Sequence, residues 1–299
     1  MLSQTGFVSL NMGRFICFIS FLVLTVSAVA QERYALLIGI GQYPDSSGWG
    51  LIHGDNDVVI IRSFLLTQGF SEENITELTN ESATKRAIIN AFDDLRRRAR
   101  RGDVVYIHYS GHGQQITDLD GDEDDQFDEA WIPFDANKQY AVGIYEGENH
   151  ILDDELNSWL NGLRAVVGPS GRIVLVSDAC HSGSGTRGIT GDDGAIARGT
   201  SERFIIPGQT MNVRKKTQPV NWLFVGACKS YQTNYEHKTP EGEYYGSLSY
   251  VIAHGDPNLI MADYRDVLDR WRIALAEIAR YPQDMDDEGR PSKRSNLML

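Results

Sequence analysis

The sequence predicts an α/β fold, a mostly parallel central sheet with helices covering both faces. Short continuous apolar runs recur along the chain, amphipathic segments of helical length separate them, and no internal repeat breaks the alternation. Strands with continuous apolar centres need cover on both sides, and the intervening helices supply it.

The elements follow in order. Arg33–Ile40 enters Gly39 and Gly41 and reads as a buried strand feeding a loop. Asp55 or Asp57 is positioned to cap a helix over Val58–Thr67, which Gly69 ends. Ser82 or Thr84 opens a second helix running to Arg101, whose basic last turn and following Gly102 suit a helix C-terminus. Asp103–Tyr109 is the next strand, Asp153 caps a helix over Glu155–Leu163, and strands follow at Arg172–Ser177 and Asn221–Ala227. Late helices are expected near Ser247–His254 and Asp263–Arg280, before a polar, frayed tail over 281–299. The stretch 184–219, rich in Gly, Thr, Arg and Lys, is too long for an ordinary connection and reads as a functional or flexible loop.

With 299 residues the chain can form one large or two ordinary domains without needing staples. Its 28 basic and 41 acidic residues give a net charge of -13, which disfavours nucleic acid or anionic lipid as the main partner. Three cysteines cannot form a disulfide framework. Residues 1–30 carry one charge, Arg14, an apolar run from Phe15 to Leu24, and the end Ala28-Val29-Ala30. That is the pattern of a secretory signal peptide cut after Ala30, leaving a domain over 31–299 that is secreted or periplasmic with no stable membrane association; an uncleaved anchor is the alternative. Met12 offers a second start. Cleavage removes Cys17, and the remaining Cys180 and Cys228 could pair in an oxidising compartment.

In open parallel sheets ligands bind beyond the carboxyl ends of the strands. There the sequence sets Gly39-Ile40-Gly41, Ser110-Gly111-His112-Gly113, Ser177-Asp178-Ala179-Cys180-His181-Ser182-Gly183 and Ala227-Cys228. A thiol attacks a carbonyl as its thiolate and needs an imidazole to take its proton and return it to the leaving amine. His112 and Cys180 supply that pair. The N–H groups of Gly113 and Cys180 are candidates to face a developing oxyanion.

These loops, with Tyr34-Ala35-Leu36-Leu37-Ile38-Gly39-Ile40 and the run from Ala227 to Glu236, resemble the metacaspases and the wider caspase-like cysteine peptidases from about Tyr34 to at least Tyr250. The Gln-Ala-Cys-x-Gly string of caspases is absent, which points to the metacaspase branch. The resemblance implies a three-layer α/β/α sandwich, His112 as general base and acid, Cys180 as nucleophile, and His181 as a bystander. It also implies an acidic pocket for Arg or Lys before the scissile bond, at Asp57, Ser110 and Asp178. Converging carboxylates suit a guanidinium or ammonium group. The bland alternative for Asp57 is a helix cap, and Gly54 stands where many metacaspases have a pocket-lining Cys.

The segment from Asp118 to Glu129 holds eight carboxylates in twelve residues. Asp118, Asp120, Asp122 and Glu129 echo an EF-hand loop, but Gly121 stands at the fourth place instead of the sixth, so the required turn is lost. The family resemblance implies calcium at Asp128, Asp153 and Asp154, although Thr186-Arg187-Gly188 offers no carboxylate where the family has another ligand. A solvated acidic loop is the alternative. The basic residues Arg198, Arg203, Arg214, Lys215 and Lys216 make the long loop a self-processing candidate, with Arg214, Lys215 and Lys216 as the expected sites, or an ordinary basic surface. Cys228 reads as a core thiol.

The expectation is thus an exported, monomeric cysteine endopeptidase that cleaves protein or peptide substrates after Arg or Lys and is activated by calcium. A clostripain- or gingipain-like peptidase and a non-catalytic calcium-binding interaction module are the competing readings.

Overall fold

The computed structural model describes residues 31–118, 121, 125–180, 194–208, 221–255 and 263–290. The central sheet contains β1 (Arg33–Gly39), β2 (Ile75–Thr79), β3 (Val104–Ser110), β7 (Arg172–Asp178), β8 (Leu223–Gly226) and β11 (Asp286–Gly289). Their order is β11-β8-β7-β3-β1-β2, and every pairing is parallel except that of β11 with β8.

Alternation along each strand sends successive side chains to opposite faces. Leu36, Ile38, Val105, Ile107, Ile173 and Leu175 therefore pack on one side, against Ile88, Phe92 and Leu95 of α2 (Lys85–Arg98) and Leu156, Leu160 and Leu163 of α3 (Asp153–Val167). Leu37, Val104, Tyr106, Val174 and Val176 face the other way, onto Val58, Ile61 and Leu65 of α1 (Gly54–Thr67). That second core is closed by α4 (Ser247–His254) and α5 (Tyr264–Ile278) through Leu248, Ile252, Leu268 and Trp271. Two cores sandwiching one sheet make the predicted three-layer α/β/α architecture.

Two small sheets flank the carboxyl ends of these strands. One is formed by β4 (Gly113–Thr117), β5 (Phe127–Trp131) and β6 (Ile151–Leu152), the other by β9 (Glu236–Lys238) and β10 (Tyr244–Gly246).

Some local expectations change. The first helix starts at Gly54, four residues before Val58, and its N-cap is His53, so neither Asp55 nor Asp57 caps it. Of the two proposed caps for α2, Thr84 serves, accepting from the Ala87 N–H at 3.3 Å. That helix ends at Arg98 because Ala99 turns extended. The edge strand β2 has no counterpart among the expected elements: Ile75-Thr76-Glu77-Leu78-Thr79 is mostly half-buried and only two of its residues are apolar, with no continuous apolar run to announce it. The expected frayed tail is also corrected in part. Met285 is buried in the second core and Asp286–Gly289 covers the edge of β8, which would otherwise stand unpaired.

Candidate active site

The register of β3 on β7 pairs Ser110 with Asp178. The two loops therefore leave the sheet side by side at the same height, with His112 and Cys180 each two residues beyond.

His112 is held from several directions. Its backbone N–H donates to the Tyr43 hydroxyl at 3.1 Å, and its carbonyl accepts from the Tyr109 hydroxyl at 2.7 Å. Its ring stacks on Trp49, with centroids 4.7 Å apart. Nε2 lies 3.0 Å from the Gly50 carbonyl. A carbonyl only accepts, so this contact assigns the proton to Nε2 and leaves Nδ1 with the basic lone pair. Nδ1 is buried and has no hydrogen-bond partner among the described residues. Burial pulls the imidazole down to about 4, so the ring is a neutral base at ordinary pH.

The Cys180 side chain is buried, and its thiol donates to the Gln232 carbonyl at 3.2 Å. Half-buried Cys228 reaches the same carbonyl at 3.4 Å, and both cysteines are free thiols. Contact with the Cys180 thiol, reinforced by burial, pushes the Cys228 thiol well up, which keeps it protonated. Cys228 is thus a neighbour of the proposed nucleophile rather than part of a remote core.

Asp57, Ser110 and Asp178 do converge, and all three are buried. Between them lies a cation from the chain itself, the fully buried Arg198. Its Nη1 donates to Asp57 Oδ2 at 2.6 Å and to Ser110 Oγ, whose own hydroxyl donates to Asp57. Asp178 Oδ1 lies 3.9 Å from the same nitrogen. On the other edge of the guanidinium, Nε and Nη2 donate to Glu236 Oε1 at 3.1 and 2.9 Å.

Burial opposes charge here, but the carboxylates of Asp57, Glu236 and Asp178 outweigh it and hold Arg198 protonated. Burial pushes Asp57 up to about 6 against the pull of Arg198. Asp178 is fixed by Asn234 Nδ2 and by the N–H and hydroxyl of Ser249, each at 2.7 Å. The floor is Gly246, whose N–H donates to Asp57 Oδ1 at 2.9 Å. A Cβ there would stand closest to Asp178 Oδ2 and 2.6 Å from Arg198 Nη1, so only glycine leaves room for both side chains.

The backbone around Arg198 is equally engaged. Its carbonyl accepts from the Cys180 N–H at 2.9 Å, and its N–H donates to the Asn234 carbonyl at 2.9 Å. Glu236 N–H donates to the Ile196 carbonyl at 2.9 Å, and Ala197 pairs antiparallel with Tyr235. Gly199 bridges to Gly113, and a Cβ on Gly199 would come within 2.9 Å of the Cys180 Cβ. Residues 196–199 therefore lie as an added strand across the two candidate catalytic loops, with the Arg198–Gly199 peptide against Cys180.

The proposed calcium ligands are less closely assembled. Asp128 is buried near the start of β5, and Asp153 and Asp154 open α3, which follows β6 at the same end of the small sheet. Among the described residues no three His, Cys, Asp or Glu side chains gather into a metal-binding group. His181, Thr186-Arg187-Gly188, and Arg214, Lys215 and Lys216 lie outside the described residues.

Several site residues have no pocket role in the sequence reading, although Arg198 is named there among the basic residues of the self-processing candidate loop. Glu236 closes the quoted run from Ala227, but nothing in that run says its carboxylate turns toward the pocket cation. In sequence Arg198 is one basic residue of a loop. Gly246, His53 and Ser249 carry no local signal, since each reaches its partner at the site from a distant part of the chain.

A family model for the metacaspase, peptidase C14 domain matches residues 33–187. The chain is 38% identical to Metacaspase-1 of Eremothecium gossypii and 36% identical to Metacaspase-1A of Aspergillus oryzae, in each case over 53% of this chain. It covers 33% and 36% of those proteins, so it spans about a third of their length. A crystal structure of a protein from Geobacter sulfurreducens superposes with a TM-score of 0.59 at 18% identity, over 90% of this chain and 97% of the other, and so shares the fold. The match across half the chain includes His112, Cys180 and three pocket residues, and on it the chain belongs to the metacaspase family of peptidase C14.

Proposed function

We propose that this chain is a cysteine endopeptidase that cleaves after arginine and processes itself at the Arg198–Gly199 bond. The observation that carries the reading is the seat of Arg198, with its guanidinium in the acidic pocket and its carbonyl on the Cys180 N–H. In the proposed reaction Cys180 gives its proton to Nδ1 of His112, and the sulfur attacks the carbonyl carbon of the basic residue. The carbonyl oxygen gains charge facing the Cys180 N–H, with the Gly113 N–H as the second proposed donor. The C–N bond then breaks, His112 returns the proton to the leaving amine, and a thioester remains. Water, deprotonated by the same imidazole, hydrolyses it to a carboxylate and frees the thiol.

Arg214, Lys215 and Lys216 are the processing sites expected from sequence; the seated Arg198 favours its own bond instead. Intact-mass analysis and N-terminal sequencing of wild type and Cys180→Ala test this. A new N-terminus at Gly199 in wild type alone is expected; cleavage that persists in Cys180→Ala excludes the thiol mechanism. A lysine side chain fits the same charge, so Arg or Lys substrates are both within the pocket's class.

Calcium is proposed as an activator, since carboxylate oxygens at Asp128, Asp153 and Asp154 suit a hard cation. Among the described residues no three His, Cys, Asp or Glu side chains form a metal-holding group, and His112 and Cys180 carry the proposed proton transfers and bond making themselves. Export after cleavage at Ala30, to the periplasm or outside the cell, is proposed from the pattern of residues 1–30. A monomer acting on proteins or peptides is part of the same reading.

A further inference from the structure

We infer that the outer edge of β4 and an aromatic cage beside it bind the substrate chain beyond the scissile bond and select an aromatic residue at the sixth position. The inference rests on the proposed cleavage after Arg198, with Gly199 counted as the first position. The segment that seats Arg198 does not stop at Cys180; it runs on along β4, the edge strand of the small sheet β4-β5-β6. Gly199 bridges to Gly113 and Phe204 to Ile116, both in parallel. The Phe204 N–H donates to the Gln115 carbonyl at 2.8 Å, and the Phe204 carbonyl accepts from the Thr117 N–H at 3.0 Å. Gln114 Nε2 donates to the Glu202 carbonyl at 2.9 Å. Each of these contacts uses a main-chain atom of the docked segment. Any extended peptide can make them, so selection must come from a side chain.

One side chain of this stretch is taken inward. Ser201, Glu202, Arg203 and Ile205 are exposed, whereas Phe204 is buried. Its ring lies 4.6 Å from that of His150 and meets Tyr145 and Tyr140 edge to face, at centroid distances of 5.8 and 6.0 Å. Gly147 closes the cage. A Cβ there would come 3.0 Å from Phe204 Cε1 and 3.2 Å from Ile116 Cδ1, and its φ of +104° suits glycine. The cage also has bonds of its own that do not involve Phe204. Gln114 Nε2 donates to the Lys138 and Glu202 carbonyls, which leaves Oε1 to accept from His150 Nε2 at 3.0 Å. His150 Nδ1 then accepts from the Tyr145 hydroxyl at 2.8 Å. Burial pulls His150 down to about 3, so the wall it offers is an uncharged ring that suits an apolar guest. The Gln114 amide thus ties cage to strand edge, holding His150 with its oxygen and the docked chain with its nitrogen.

The test uses the full chain carrying Phe204→Ala, which vacates the cage, and two peptides copying residues 194–206 with Gln in place of Arg203. One peptide keeps Phe at the sixth position after the bond and the other has Ala there. The kcat/KM for cleavage after the single arginine is expected to favour the Phe peptide by at least about tenfold, the equivalent of about 1.4 kcal/mol. Adding Tyr140→Ala, which removes a half-buried wall of the cage, should cut that preference severalfold. A cage that serves the fold alone gives equal use of the two peptides, and that result overturns the inference while leaving basic-specific cleavage intact. Cleavage of neither peptide after its arginine removes that reading itself.

A second measurement needs neither turnover nor the arginine before the bond. Peptides copying residues 199–206, with Phe or Ala at the sixth position, are titrated into the full chain carrying Cys180→Ala and Phe204→Ala. The Phe peptide is expected to bind at least about tenfold more tightly. Equal affinities overturn the inference even for a protein without activity. Should Phe204→Ala fail to fold, Phe204→Leu takes its place, because it keeps an apolar side chain in the core and gives up the ring contacts. The Phe peptide should then still bind more tightly, by a smaller margin, and equal binding again overturns the inference.

Discussion

Replacing Arg198 with alanine isolates the central feature of the site, because it removes the guanidinium and leaves the strand pairing of residues 196–199 to the backbone. Arg198 is fully buried and its charge is shared among Asp57, Asp178 and Glu236. Removing one partner of a buried ion pair costs about 3–5 kcal/mol, since it strands the opposite charge. Protonation of Asp57, already pushed up to about 6, limits the loss. The same interaction energy is what an external arginine must overcome to displace the segment. At about 1.4 kcal/mol per tenfold, its removal should tighten an external arginine peptide by about 10²–10³-fold. The assay is a titration of an arginine peptide into Cys180→Ala and Cys180→Ala/Arg198→Ala, where no turnover interferes, together with thermal unfolding of both. The double variant should unfold earlier when unliganded and recover stability as peptide is added. Equal affinities in the two proteins would refute the reasoning, because they would mean that Arg198 does not compete for the pocket.

Further predictions concern the walls of the pocket, its pH dependence and its metal. Gly246→Ala sets a methyl against Asp178 Oδ2 and 2.6 Å from the position of Arg198 Nη1, so it displaces the pocket carboxylate as well as crowding the cation, and KM for arginine peptides should rise severalfold or more while the protein stays folded by circular dichroism. Asp57 must be ionised to hold a cation, and its carboxyl is raised to about 6 by burial. Below that value kcat/KM for an arginine peptide should therefore fall with decreasing pH, whereas His112, pulled down to about 4, stays neutral and available as a base through the same range. A profile that stays flat as the pH falls through about 6 contradicts this assignment. For calcium, strong chelation should reduce activity and added calcium restore it, and activity indifferent to chelation removes the proposed requirement.

The layered fold is legible because its central strands are mostly continuous apolar runs and its helices carry periodic apolar faces; β3, β7 and α4 follow the sequence closely. What escapes depends on partners distant in the chain. The pairing of Asp286–Gly289 with β8 is invisible in four mostly acidic residues. His112 and Cys180 are readable because each follows its own strand within two residues. Arg198 and Glu236 are not, since a buried ion pair joining a loop to β9 leaves no local pattern, and a basic residue in a basic loop looks like surface. The acidic composition divides along the same line. Asp57, Asp178 and Glu236 form a site with a cation in it, while the carboxylates between Asp118 and Glu129 form no metal-holding group among the described residues.

The most direct test is to identify the residue preceding every bond cut in a peptide-library digest, with Cys180→Ala as the control. The account predicts cleavage after arginine or lysine and none after aspartate, with no products from the control. Cleavage confined to aspartate, or the same products from Cys180→Ala, would contradict it.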